Sequence, residues 1–197
     1  KGLLISSVED NNPVIFIEHR WLHNTIDYVP NDGYRVPIGK ANITREGKDV
    51  TIVTHSYMLL ESIRCAEVLA RQGISVEVLD LRTIRPLDKE TILCSVSKTL
   101  RVVVADNGWV QFGVSAEIIS VITENIFDKL LSAPARIGIN DSPSPSTRAL
   151  TKSFYPRADK IAKIISEMMN KNLDMSILFP ESDVPLDIPD PSFTGPF

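Results

Sequence analysis

The sequence predicts an α/β fold, a three-layer α/β/α sandwich built on a mostly parallel sheet. Two observations carry this. From Asp49 onward, short β-branched runs alternate with longer amphipathic runs, and strands that alternate with helices need crossover connections and hence a largely parallel sheet. The strand candidates are also near-continuously apolar, as in strands covered on both faces.

Asp49–Thr54 (DVTIVT) is the first strand of this unit. Met58–Gln72 follows as a helix whose residues Leu59, Ile63, Ala66, Val68, Leu69 and Ala70 form a broad apolar face, and Gly73 suits its end. Ser75–Asp80 is the next strand. Leu87–Thr99 is a helix behind Pro86, with Asp88 placed to cap its start. Arg101–Ala105 (RVVVA) is the third strand and Ser115–Ile126 the third helix. Ala135–Ile139 (ARIGI) is the fourth strand, and Asn140–Ser146, with Pro143 and Pro145, is a loop. Arg157–Asn170 closes the unit as a helix with Ile161, Ile164, Ile165 and Met168 on one side.

Upstream of this unit, Gly2–Val8 reads as the end of a helix that Pro13 forces to stop. Val14–Glu18 (VIFIE) reads as a strand buried on both faces. A helix end followed by such a strand is the last unit of a parallel sheet, so residues 1–20 are expected to close a preceding domain and the chain to be the back part of a longer polypeptide. Residues 21–48, punctuated by Pro30, Gly33, Pro37 and Gly39, read as a linker with a short strand at Lys40–Arg45. The second domain spans 49–170. The tail, 171–197, has five prolines and no periodicity. Its Leu178, Phe179, Phe193 and Phe197 suggest an arm laid on another surface.

Composition narrows the function. The 197 residues are 43% hydrophobic and 23% charged, an ordinary globular balance. A net charge of −4 gives no case for nucleic acid. No apolar run reaches the roughly 18 residues of a membrane span. Cys65 and Cys94 both sit in helical patterns, which reads as buried free thiols in a reducing compartment.

The stretch Asp106–Glu117 (DNGWVQFGVSAE) is the pivot of the chain, at the expected carboxyl end of the third strand. In open α/β sheets ligands and partners meet the fold at such ends. Trp109 and Phe112 are large apolar side chains in a loop and must pack either on their own domain or on a subunit interface. A nucleophilic serine on a Gly-x-Ser-x-Gly elbow is absent from the sequence, as are a Gly-x-Gly-x-x-Gly turn and a Walker lysine loop. His19 and His23 are four apart and would share a metal only if helical, with no third ligand nearby. His55 ends the first strand of the second domain; a satisfied structural histidine is the plainer reading. Arg82 and Arg85 follow the second strand and suit either an anion or carboxylate across an interface, or pairing with Asp80 or Asp88. The turn Ser7–Asn12 offers carbonyls and an acid, oxygen chemistry that suits a hard cation, although from chemistry alone it is a helix terminus without an ion.

Several motifs stand in one register: Gly2-Leu-Leu, Asp10-Asn-Asn-Pro13, Val36-Pro-Ile-Gly-Lys40, Asp49-Val-Thr-Ile-Val53, Asp80-Leu-Arg-Thr-Ile-Arg-Pro86 and Gly108-Trp-x-Gln-Phe-Gly-Val-x-Ala-Glu117. From Lys1 to about Asn170 the chain resembles the beta subunits of the pyruvate dehydrogenase family, and more distantly transketolase. The resemblance implies a transketolase C-terminal-like domain from Asp49 and the end of a pyrimidine-binding domain at residues 1–20. It implies a subunit of a thiamine diphosphate-dependent 2-oxoacid dehydrogenase that passes an acyl group to a lipoyl carrier. It implies assembly with an alpha subunit or the N-terminal part of the same enzyme and with a second copy as a homo-dimer, in the cytoplasm or, in a eukaryote, the mitochondrial matrix. Thiamine diphosphate and Mg2+ would be held by parts this chain lacks, so no catalytic residue carries over. Two sites do. One is a K+ site at Ser7, Val8, Asp10 and Asn12, mostly through carbonyls. The other is Asp141, facing a dihydrolipoyl acyltransferase. The stretches 142–150 and 154–157 depart from the pyruvate dehydrogenase pattern, which leaves an acetoin-type or transketolase-like substrate open. A reading from another class is a non-catalytic interaction domain that binds a regulatory ligand at His55, Arg82 and the Gly108–Gly113 loop.

Overall fold

The computed structural model describes residues 1–23, 25–151, 154–180 and 188. Its centre is a five-stranded sheet of order β1-β3-β2-β4-β5. The strands are β1 (Asn42–Arg45), β2 (Val50–Thr54), β3 (Val76–Asp80), β4 (Val102–Trp109) and β5 (Ala135–Ile139). Four run parallel, and β1 pairs antiparallel with β3 at one edge. The short strand expected near the end of the linker thus joins the sheet.

Helices cover both faces, as the unbroken apolar strands require. On one face, α2 (Tyr57–Ala70) and α5 (Ala158–Met168) bury Met58, Cys65, Leu69, Ile161 and Ile165 against Ile52, Val78, Val103 and Ile137. On the other, α3 (Lys89–Thr99) and α4 (Val114–Ile126) bury Ile92, Val96, Ile118 and Ile122 against Val53, Leu79, Val102 and Val104. Each fully buried branched side chain contributes about 1.5–3 kcal/mol of transfer free energy. The three-layer sandwich holds.

Local signals set most boundaries. Asp88 caps α3, accepting from the Thr91 N–H, and also accepts from the Ala41 N–H, which ties the linker to the helix. Gly73 leaves α2 with φ 70°, a left-handed turn open to glycine at little cost. Glu77, fully buried in β3, is held by Lys98 and Ser95 of α3, so its charge is matched where burial would otherwise penalise it.

Four expectations change. Cys94, on α3, is exposed rather than buried; only Cys65 joins the core. Val14–Glu18 is extended but pairs with neither edge of the sheet, and Ile15 and Ile17 are 88% and 86% exposed. Its apolar side chains have no second layer here. The third sheet-unit strand runs on to Trp109 rather than stopping at Ala105, because the ladder with β5 resumes at Trp109–Ile139 after a register shift. The tail is not wholly irregular: α6 (Met175–Leu178) is capped by Asp174, and Phe179 packs on the α2/α5 core. Phe193 and Phe197 lie outside the described residues. The N-terminal helix, α1 (Gly2–Glu9), is as expected to within one residue. Among the described residues no helix is long and apolar enough to cross a membrane.

Candidate functional site

The chain leaves β2 toward β3 on one side, then crosses to β4 on the other. The carboxyl ends of β2 and β4 therefore form a topological switch point, where open sheets place ligands. Thr54, the last residue of β2, is level with Asp80 on β3 and Ala105 on β4. The next residue, His55, falls between two acids. Its Nε2 lies 3.3 Å from Asp106 Oδ1, in ion-pair range when the ring is protonated. Burial alone would raise the Asp106 carboxyl; the His55 imidazole and the N–H groups of Gly108 and Asn107 outweigh it and hold the carboxyl below its usual value. Burial pushes Asp80 up, offset only in part by Arg82 and His55. The Arg82 N–H donates to Asp80 Oδ1 at 3.2 Å, and its Nε stands 3.8 Å from Oδ2.

Backbone strain collects at the same end. Ser56 (φ 54°), Arg82 (φ 58°) and Phe112 (φ 53°) follow β2, β3 and β4 in turn. Non-glycine residues in this region cost about 1–3 kcal/mol each and cluster at working surfaces. The loop after β4 is pinned. A Cβ on Gly113 would lie 2.0 Å from the Trp109 carbonyl oxygen, so only glycine fits. The Val110 N–H donates to the Ile139 carbonyl, and Arg136 Nη1 donates to the Val110 carbonyl at 2.9 Å. This fixed loop presents Phe112 fully exposed and Trp109 56% exposed, with Ile84 at 43% on the neighbouring loop. Phe112 does not pack on its own domain, whereas Trp109 is partly covered by it.

Asp141 is exposed two residues beyond Ile139, which is level with Trp109, so the topology brings Asp141, Trp109 and Phe112 to one end of the sheet. The proposed cation set is elsewhere, on α1 and the turn after it. There Asp10 Oδ1 accepts from both the backbone N–H and the side chain of Asn12, at 2.8 and 2.9 Å, and Ser7 Oγ donates to the Leu3 carbonyl. Val8 is 78% exposed. The oxygens are present, but the Asp10 carboxylate spends one of its two on Asn12. His19 and His23 do not face each other across a helix. They flank a 3-10 turn: His19 caps it through Nδ1, and His23 Nε2 lies 3.5 Å from Glu18. Arg82 meets Asp80, whereas Asp88 is taken by Lys40, Ala41 and Thr91; Arg85 is exposed. Among the described residues no three His, Cys, Asp or Glu side chains converge to hold a metal.

One cluster escaped sequence reasoning. Glu61 of α2, 5% exposed, accepts from Tyr57 Oη at 2.8 Å, Arg157 Nη1 at 3.1 Å and the Ala158 N–H at 2.9 Å. Arg157 in turn lies over the rings of Trp21 and Tyr57. Nothing in spacing links residues about a hundred apart; the only signal was an acid on the apolar face of a helix.

Comparison with known proteins agrees with this geometry. The family model described as "Transketolase, C-terminal domain" matches residues 39–161. The mitochondrial pyruvate dehydrogenase E1 component subunit beta of Dictyostelium discoideum is 40% identical over 176 residues, 87% of this chain and 49% of that protein. The corresponding subunit of Staphylococcus aureus is 42% identical over 150 residues, 76% of this chain and 46% of that protein. The chain thus spans about half the length of the curated relatives it matches. A solved structure titled "Split gene transketolase, inactive beta4 tetramer" superposes with a TM-score of 0.63 at 26% identity, covering 74% of this chain and 47% of that one. A family match over most of the sheet domain, borne by a sheet of the same class, places this chain in the transketolase C-terminal domain family.

Proposed function

We propose that this chain is the C-terminal assembly domain of a thiamine diphosphate-dependent 2-oxoacid dehydrogenase beta subunit. The observation that carries the reading is the identity of 40–42% to pyruvate dehydrogenase beta subunits over 76–87% of this chain. Its own task is to pack subunits and shape the entrance to an active site built by others. Trp109 and Phe112 face a neighbouring subunit, and Asp141, at the same end of the sheet, meets the acyltransferase that receives the acyl group. When bound between subunits, thiamine diphosphate with Mg2+ supplies the decarboxylation chemistry, and this chain contributes no ligand to either. The turn Ser7–Asn12 takes K+ through main-chain oxygens. The working compartment is the cytoplasm, or the mitochondrial matrix in a eukaryote.

The test is 2-oxoacid decarboxylation, assayed with a dye acceptor. The chain alone is expected to be silent, and the intact beta subunit with its alpha partner active with pyruvate. Decarboxylation by the chain alone, or activity of the assembly with sugar phosphates but not with 2-oxoacids, overturns the reading. A second reading, a ligand-binding interaction domain, is favoured by one observation: three strained residues and the His55–Asp106 pair share the switch point. An intact enzyme that needs no thiamine diphosphate would favour it.

A further inference from the structure

We propose that His19, Trp21, Tyr57, Glu61 and Arg157 form a pH-sensitive latch: with His19 neutral it holds the incoming chain against α2 and α5, and protonation of His19 releases it. The contacts join three separate parts of the chain. His19 and Trp21 come from the segment that enters the domain, Tyr57 and Glu61 from α2, and Arg157 from the start of α5. The His19 ring stacks on Tyr57 with centroids 5.2 Å apart, and Trp21 meets Tyr57 edge-on at 4.9 Å. Arg157 Cζ lies 5.1 Å from the Trp21 ring centroid and 5.4 Å from that of Tyr57. The Trp21 and Leu22 side chains pack on the α2/α5 core, so this cluster is where the incoming segment meets the sheet domain.

The switch is a single hydrogen bond. His19 Nδ1 accepts from the Trp21 N–H at 3.3 Å. The imidazolium form has two N–H donors and no acceptor, so the same geometry then sets two N–H groups against each other. Burial first, and the neighbouring His23 second, hold His19 below the ordinary histidine value of 6.5. The charged groups around it on its own segment are Glu18, Arg20 and His23; on α2 they are Glu61 and Arg64, beside Tyr57; on α5 it is Arg157. Glu61 would favour a charged His19, but its oxygens already serve Tyr57, Arg157 and Ala158. The Tyr57 ring that could attract an imidazolium already has the Arg157 cation 5.4 Å from its centroid. The docked state therefore binds fewer protons at His19 than the released state. Docking is complete above the released-state value and is lost as pH falls through it toward the lower docked value.

The experiment follows the Trp21 indole resonance of the full 15N-labelled chain from about pH 8 to about pH 5, the range in which histidine titrates. The signal is assigned by its loss in Trp21→Phe. The latch predicts that the resonance moves with a midpoint below that of an ordinary histidine. Protection of the Trp21 amide from exchange should fall by about tenfold for each unit separating the docked and released pKa values. His19→Asn, which keeps an acceptor without a titrating ring, should stay docked throughout, and His23→Gln should still titrate, with its midpoint moved up toward the ordinary histidine value because the repulsion from His23 is gone. The His19 ring carbon shift, read in the unmodified chain, must share the midpoint; this needs no variant. A Trp21 signal that does not move, one that still titrates in His19→Asn, or one whose midpoint differs from that of the His19 ring overturns the proposal.

Discussion

Glu61 is the residue whose loss the fold should feel most sharply. Glu61→Ala removes the acceptor of three donors at once: Tyr57 Oη, Arg157 Nη1 and the Ala158 N–H. The Glu61 and Arg157 side chains are 6% and 11% exposed, so solvent cannot replace the carboxylate. Breaking a buried ion pair from one side costs about 3–5 kcal/mol. Loss of the acceptor at the α5 amino terminus is part of that sum, since an uncapped helix start alone costs about 1 kcal/mol. For a chain of this size, 1 kcal/mol moves Tm by about 2–4 °C, so Glu61→Ala should lower it by roughly 10–15 °C. Glu61→Gln keeps the shape and one acceptor oxygen and should cost about half as much. Urea unfolding at neutral pH gives the free energies. A double-mutant cycle with Arg157→Leu gives the coupling, expected at about 1–3 kcal/mol. A cost below about 1 kcal/mol for Glu61→Ala, or zero coupling to Arg157, would refute the assignment of Glu61 as the clamp between α2 and α5.

Three further outcomes follow from the same structure. A thiol reagent on the native chain should modify Cys94 rapidly and Cys65 only on unfolding, because Cys65 is buried and burial, with Glu61 and Asp159 nearby, pushes its thiol well above the ordinary range; rapid loss of two thiols contradicts this. Asp106→Asn should destabilise the chain by about 1–3 kcal/mol at neutral pH and flatten the acid limb of its stability profile. The folded Asp106 carboxyl sits below 3.8, so its contribution is present above that value and fades as pH falls through the folded one; an unchanged acid limb contradicts it. Phe112→Ala should leave stability within about 0.5 kcal/mol, as an exposed side chain far from any core allows, yet weaken subunit assembly measured by sedimentation; a stability loss without an assembly loss would return Phe112 to its own domain.

What the sequence made legible follows a physical rule. Residues whose partners are other runs of the same unit were read correctly. Val50–Thr54, Val76–Asp80 and Ala135–Ile139 are strands because each finds a neighbour within the sheet, and Asp88 caps α3 because its acceptor role is settled within three residues. The apolar face of α5 is legible for the same reason: a stripe at helical spacing states which side is covered without naming what covers it. On α2 the expected face is only partly right: Ala66 and Leu69 are buried, but the covered side is completed by Tyr57, Met58, Glu61, Ser62 and Cys65, and Ala70 is exposed. Val14–Glu18 has the same composition as the strands of the sheet but is unpaired in this chain, because pairing is a property of the neighbour and not of the run. The Glu61–Arg157–Trp21 cluster was invisible for the converse reason: its members are fixed by the tertiary crossing of α2, α5 and the incoming segment.

The candidate site divides along the same line. Its framework was readable, since the alternation of strands and helices already places the ends of the first and third strands of that unit at a switch point. Its chemistry was not, because His55, Asp80 and Asp106 become neighbours only through strand order and register. The Trp109–Gly113 loop lies between these cases. Sequence reasoning singled out its aromatics but left their direction open. The direction is decided by backbone contacts, the 2.0 Å approach that excludes a side chain at Gly113 and the bonds from β5 that fix Val110. A loop so constrained cannot fold Phe112 back onto its own sheet without breaking them. The exposure of Phe112 is therefore a built feature of the loop.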